Sequence, residues 1–187
     1  MFNKSCLIKK YMLYGVIAIV LISSLSHFLY GFSGNIKIVG IFTPINESIW
    51  EHLKLAFYPT VLWWGIGYFI YRGKMYIDIR KWIVSMAISI IISPIIIITF
   101  FYTYTGAFGI QNLVLDIFSL ILGVFIGQLI GLKYYENYKY NKVVFYSLMF
   151  ILLLDIVLFT YFTFNPPNIP LFIDSTTGLR GIYLRSE

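Results

Sequence analysis

Five predominantly apolar runs divide this sequence, at about 11–32, 49–71, 82–104, 113–132 and 143–164. A membrane crossing needs roughly 20 apolar residues to traverse a hydrocarbon core about 30 Å thick, and each run is that long. Lipid offers the backbone no hydrogen-bond partner, so the runs are predicted as helices. The expected architecture is an all-α integral membrane protein with five transmembrane helices in a single membrane domain over residues 1–187, ending in a tail at 165–187.

The polar breaks between the runs alternate in charge. Lys4, Lys9 and Lys10 precede the first run, Arg72, Lys74, Arg80 and Lys81 lie between the second and third, and Lys133, Lys139 and Lys142 separate the fourth and fifth. The opposite side holds Lys37, Lys54, Arg180 and Arg185. By the positive-inside rule the N-terminus is expected in the cytoplasm, the C-terminal tail outside, and the protein in the cell membrane as a multi-pass protein. A Lys-rich start and the small residues Ser23, Ser24 and Ser26 resemble a secretory leader. The run continues through His27, Phe28, Leu29 and Tyr30, past the 7–15 residues of a typical leader core, so a retained helix is expected.

Composition agrees with the pattern. Of 187 residues, 59% are hydrophobic and 12% charged, and the mean hydropathy is +0.82, whereas soluble domains carry about 25% charged residues. The net charge of +6 is spread over the connecting segments, so the expected partner is the lipid bilayer and not a nucleic acid. Cys6 is the single cysteine, which excludes an intramolecular disulfide and a paired-cysteine zinc site. Gly123, Gly127 and Gly131 recur every fourth residue on the fourth run. Such a small-residue stripe lets helices approach closely and is also a candidate homo-oligomer face. Pro59 and Pro94 fall inside the second and third runs, where proline kinks a helix.

The acids are distributed unevenly. Asp78 and Glu136 fall on the basic side, while Glu47, Glu51, Asp116, Asp155, Asp174 and Glu187 fall on the other, with both histidines. At about 1.5 Å per residue, His27 lies roughly 24 Å above the start of its helix, near the outer surface, and Asp116 about one turn below that surface. Asp155 falls close to the middle of the fifth run, where an aspartate costs about 2.5–3.5 kcal/mol to insert and therefore should face the protein interior. Simpler roles exist for several of these groups. Ser48 and Glu51 have capping-box spacing, Glu47 suits a helix N-terminus, and a lone histidine on an apolar helix is commonly a packing residue.

Together, His27, Glu47, Glu51, His52, Asp116 and Asp155 are expected to meet in one outer-leaflet pocket. Two imidazoles and carboxylates suit zinc or another divalent ion with an open coordination position. In that reading His27 and His52 bind metal with one or two of Asp155, Glu47 and Glu51, a remaining carboxylate such as Glu47 or Glu51 activates water, and Lys54 steadies developing negative charge. Two histidines at one depth could instead hold haem between helices. The segment 31–47 is apolar but punctuated by Gly, Pro and Asn, and is expected to re-enter the outer leaflet or lie across the bundle mouth. The tail is expected either to cover the pocket with Asp174 pointing in, or to lie in the interface anchored by Phe172 and Tyr183.

Three stretches carry a resemblance: Ser26-His27-Phe28-Leu29-Tyr30, the run from Phe42 to Lys54 with its P-x-N-E-S-x-W-E-H-x-K pattern, and Pro166-Pro167-Asn168-Ile169-Pro170-Leu171-Phe172-Ile173-Asp174. Together they resemble a bacterial family of small multi-span membrane proteins of unknown function. That resemblance brings no activity, but implies that His27, Asn46, Glu47, Trp50, Glu51, His52 and Asp174 are signature positions. Three functions follow for the pocket: a metal-dependent membrane hydrolase or transferase, a small transporter or ligand-binding protein using Asp155 and Asp116, and a non-catalytic assembly partner. Against transport, the inner half offers only Ser85, Ser89, Ser93, Gln128 and Ser147 to line a path.

Overall fold

The computed structural model describes residues 4–137 and 139–182. Tyr183, Arg185 and Glu187, to which the sequence assigns outer positions, lie outside the described residues. The described chain forms six α-helices and no strand: α1 (Lys4–Phe32), α2 (Lys37–Phe42), α3 (Ile49–Arg72), α4 (Ile79–Phe108), α5 (Leu113–Glu136) and α6 (Lys142–Phe164). A short 3-10 turn at Pro170–Phe172 follows.

Four of these helices are long and apolar enough to cross a membrane, namely α1, α4, α5 and α6. The fifth expected span corresponds to α3, which has the length, at 24 residues, but not the hydropathy. Glu51, His52 and Lys54 occupy its opening turns, and Trp and Tyr fill much of the rest. Burial explains how such a helix is tolerated. Leu53, Ala56, Phe57 and Trp64 of α3 are enclosed by neighbouring helices, so its polar groups need not meet lipid. Both α3 and α4 remain helical through Pro59 and Pro94.

The helix ends are set by caps lying just outside the apolar runs. Asp78 accepts hydrogen bonds from the Arg80 and Lys81 amides and starts α4 ahead of its apolar stretch. Gly109, at φ 65°, stops it beyond Thr105 in a left-handed conformation that glycine adopts freely. Asn112 and Asn141 cap α5 and α6 in the same way as Asp78.

Antiparallel α1 and α3 pack along their length. At one end His27 meets His52, and towards the other the Tyr11 ring stacks on Trp63 at 4.3 Å and its hydroxyl donates to the Trp63 carbonyl. Trp64 and Trp82 then join α3 to α4. The tightest seam lies between α4 and α5. Gly123, Gly127 and Gly131 face a matching row on α4, Ser85, Ser89 and Ser93, and all six residues are buried. A Cβ on Gly127 would sit 2.6 Å from the Ser89 carbonyl oxygen, and one on Gly131 would sit 2.8 Å from that of Ser85. The glycine stripe is therefore filled from inside the chain, and a second copy would have to meet another face. Of the candidate lining of a transport path, Ser85, Ser89, Ser93 and Gln128 are buried in helix packing, and Ser147 is exposed.

Two ends with different chemistry result. One gathers the basic residues and aromatics, with Lys9 4.0 Å from Glu136 and Lys81 over the Tyr135 ring. The other gathers the end of α1, α2, the start of α3, the end of α6 and the tail. Extra volume on the glycine seam should cost about 1–3 kcal/mol through overpacking. Gly127→Leu is expected to lower the thermal midpoint in detergent markedly, whereas Gly65→Ala, where a Cβ meets nothing within 4 Å, should leave it nearly unchanged. Equal midpoints for the two variants would contradict the α4–α5 packing.

Candidate metal centre

The polar end is organised by the start of α3. Ser48 is the N-cap: its side chain accepts the Glu51 amide at 3.4 Å, and its own amide donates to Asn46 Oδ1 at 3.0 Å. The capping box is thus half made, since Asn46 takes the amide that the Glu51 side chain would have reached. Asn46 also donates to the Gly181 carbonyl at 3.0 Å, and the amide of Glu47 donates to Asp174 Oδ2 at 3.0 Å. The backbone on both sides of Glu47 is therefore held, and its side chain turns towards α1 and α3.

Three ligand atoms converge there. His27 Nε2 lies 3.1 Å from His52 Nε2, and Glu47 Oε2 lies 3.5 Å from the former and 3.4 Å from the latter. His52 Nδ1 is 2.8 Å from the Ser48 carbonyl oxygen. A carbonyl can only accept, so Nδ1 carries the proton and the Nε2 of the neutral ring presents a bare lone pair to the group. The imidazoles of His27 and then His52, within 3.5 Å of its Oε2, hold the Glu47 carboxyl well below the usual carboxylate range, against the opposing effect of its burial. The three side chains are 27%, 33% and 28% exposed, so the group opens to the surroundings on one side.

This triangle fits a metal. Ligand atoms about 2.0–2.1 Å from a tetrahedral zinc lie about 3.3 Å from one another, and the three observed separations bracket that length. The Nδ1–H contact to a backbone carbonyl is the partner that orients a metal-ligating imidazole and fixes its tautomer. Three protein ligands with a fourth position open is the arrangement of catalytic zinc sites. Haem fits poorly. Bis-histidine ligation sets the two Nε2 atoms roughly 4 Å apart, twice an ordinary metal–imidazole bond, with the macrocycle between them. Here that gap is shorter and the Glu47 carboxylate borders it.

The remaining candidates occupy other surroundings. Glu51 and Lys54, expected beside the reacting centre, form an enclosed ion pair. Lys54 Nζ donates to Glu51 Oε2 at 2.5 Å, to the Thr163 hydroxyl at 2.6 Å and to the Gly40 carbonyl at 2.8 Å. All three ammonium protons are thereby engaged, and Lys54 is fully buried. Glu51 Oε2 also accepts the Ile45 amide at 3.1 Å. Asp155 contributes no ligand atom to the triangle. It lies half-buried on the α6 face shared with Leu152 and Phe159, about 12 Å below Thr163 by helical rise. Asp116 accepts the Tyr104 hydroxyl at 2.5 Å and contributes no ligand atom to the triangle.

Trp50 packs between Phe159 and Phe172, joining α3 to α6 and the tail. Asp174 is fully buried and, besides Glu47, accepts from the amides of Thr176 and Thr177. It grips the backbone of the Glu47 loop and does not join the ligand triangle. Thr163, Gly40, Tyr104 and Gly181 are the participants that sequence reasoning missed. A threonine in an aromatic helix end, or a carbonyl, carries no signal of its partner.

The profile of a family of unknown function (DUF6512) matches residues 1–182. No curated protein and no solved structure matches the chain.

Removing one member of an enclosed ion pair leaves the other charge uncompensated, at about 3–5 kcal/mol. Lys54→Ala should therefore be strongly destabilising in detergent unfolding, and the pair Lys54→Met with Glu51→Leu less so than Lys54→Ala alone. A neutral Lys54→Ala would mean that water reaches the pair.

Proposed function

The chain belongs to that family of unknown function, and from this premise we propose that it is a metal-dependent membrane hydrolase or transferase. Its centre is His27, Glu47 and His52, holding zinc or a similar divalent ion. The observation that carries this reading is the convergence of His27 Nε2, His52 Nε2 and Glu47 Oε2 at 3.1–3.5 Å, with the His52 tautomer set by the Ser48 carbonyl. A bound ion with an open position supplies Lewis acidity and lowers the pKa of water.

In this reading the whole chain is one membrane domain with five crossings, α3 crossing with its polar first turns buried against neighbouring helices and Leu62, Ile66 and Phe69 of its second half exposed to lipid. The basic end faces the cytoplasm and the metal centre lies near the outer surface of the cell membrane. α2 rests in the outer leaflet or across the mouth, and the tail covers the Glu47 loop. Glu51, Lys54, Asn46 and Asp174 position the ligands. An assembly role is the competing reading, and it treats the same three side chains as a hydrogen-bonded network in which His27 donates to His52.

Metal content decides between the two. Protein purified in detergent without chelator should hold one zinc or similar ion per chain, and His27→Ala, His52→Ala and Glu47→Ala should lose it while staying folded. Asp174→Ala should weaken metal affinity about 10–100-fold, as expected for a group that orients a ligand from behind. Wild-type protein that holds no metal and binds none on zinc addition would rule out the hydrolase or transferase reading and leave the assembly and transport readings.

Topology has its own test. Cys6 is exposed and is the single cysteine, so a membrane-impermeant thiol reagent should modify it in broken but not intact cells. Labelling in intact cells would invert the proposed orientation.

A further inference from the structure

An open cleft of about 380 Å³ lies against the ligand triangle, between the last turns of α1 and the loop leading into α3. Its two sides differ in character. His27, Glu47 and Asn35 line it with polar atoms, while Phe28, Phe32 and Ile45 line it with apolar surface. Phe28 and Phe32 are 57% and 85% exposed, and they belong to α1, a helix long and apolar enough to cross a membrane. In a bilayer their outer faces meet acyl chains, so the cleft is open towards lipid as well as towards the ligand atoms. The apolar surface continues onto α2 through the exposed Ile38 and Phe42.

Charge narrows the choice of occupant. A divalent ion on two neutral imidazoles and one carboxylate keeps one net positive charge. Glu47 is the only acidic residue lining the cleft among the described residues, and the exposed Lys37 stands two positions beyond Asn35. An anion is favoured at the open coordination position, and an apolar chain is favoured along Phe28 and Phe32.

We propose that this cleft binds a lipid whose phosphate head group carries net negative charge, with the head group at the metal held by His27, Glu47 and His52 and an acyl chain over Phe28 and Phe32. This rests on the metal reading above and names the substrate class for it. His27 joins the two halves of the site, since its imidazole contributes Nε2 to the triangle while its ring packs edge-on against Phe28 at 5.1 Å.

Cobalt-loaded protein in phosphatidylcholine nanodiscs tests this, because the visible absorption of cobalt(II) changes when its open position is filled. Dihexanoyl phosphatidic acid, glycerol 3-phosphate and inorganic phosphate are titrated in turn, with dihexanoyl phosphatidylcholine as the partitioning control. The expected result is binding of dihexanoyl phosphatidic acid at least about tenfold tighter than either soluble phosphate, because its chains bury methylene groups that the soluble anions lack. Phe28→Ala with Phe32→Ala should bring the affinity for dihexanoyl phosphatidic acid down to that for inorganic phosphate, with cobalt still bound.

Equal affinity for all three phosphates, with cobalt bound, would overturn the lipid assignment and leave the metal centre standing. Tight binding of the phosphatidylcholine control would also overturn it, by showing that the anionic head is not what is recognised. Failure to bind cobalt at all would remove both readings together. The comparison of ligands on unmodified protein decides the matter even if the double variant does not fold.

Discussion

The enclosed ion pair between Lys54 and Glu51 is the constraint on which the polar end depends. A lysine and a glutamate shut away from water are costly unless every charge-bearing group finds a partner. The partners come from four places: the Gly40 carbonyl of α2, the Ile45 amide of the loop, the Thr163 hydroxyl of α6 and the two side chains of α3. Meeting that demand draws α2, the loop and α6 onto the first turns of α3. Gly40 has no side chain for the same reason, since a Cβ there would run into Ile45 and the Tyr30 ring.

With the loop drawn in, the ligand geometry follows. Asn46 and Asp174 hold the backbone around Glu47 from the tail side, Ser48 starts the helix that carries His52, and α1 brings His27 alongside by packing against α3. The three ligand residues come from a helix end, a loop and a helix start, and one buried pair fixes the loop between the other two. A metal would bind to groups already oriented, with the proton of His52 committed to the Ser48 carbonyl. The ion pair and the triangle lie side by side yet differ in access, one sealed and the other open on one side, as structural and reacting groups commonly do.

Much of this was legible in the sequence where a single residue type carries the signal. Long apolar runs identify α1, α4, α5 and α6, and Ser48 with Glu51 marks the start of α3. Helix ends were misjudged by about a turn where Asp78 and Gly109 act as caps beyond the apolar stretch. The convergence of His27, Glu47 and His52 could be expected because all three fall at the same end of the bundle. The role of Lys54 could not, although its spacing from Glu51 already allowed a pair within one helix turn. Its other two acceptors are a carbonyl and a threonine, and neither marks itself in a sequence. The glycine stripe on α5 announced close packing but not its partner, which proved to be the serine row of α4. Asp155 is grouped with the pocket because an acid at mid-span should face the protein interior, and its position along α6 sets it about two turns deeper than Thr163.

The central claim is that His27, Glu47 and His52 share one metal ion, and X-ray absorption at the zinc edge of detergent-purified, zinc-loaded protein tests it most directly. The account predicts two imidazole nitrogens and one carboxylate oxygen at about 2.0–2.2 Å, with a solvent oxygen completing the shell, and one imidazole fewer in His52→Ala. A shell of water oxygens alone, or a sulfur from Cys6 at about 2.3 Å, would contradict it.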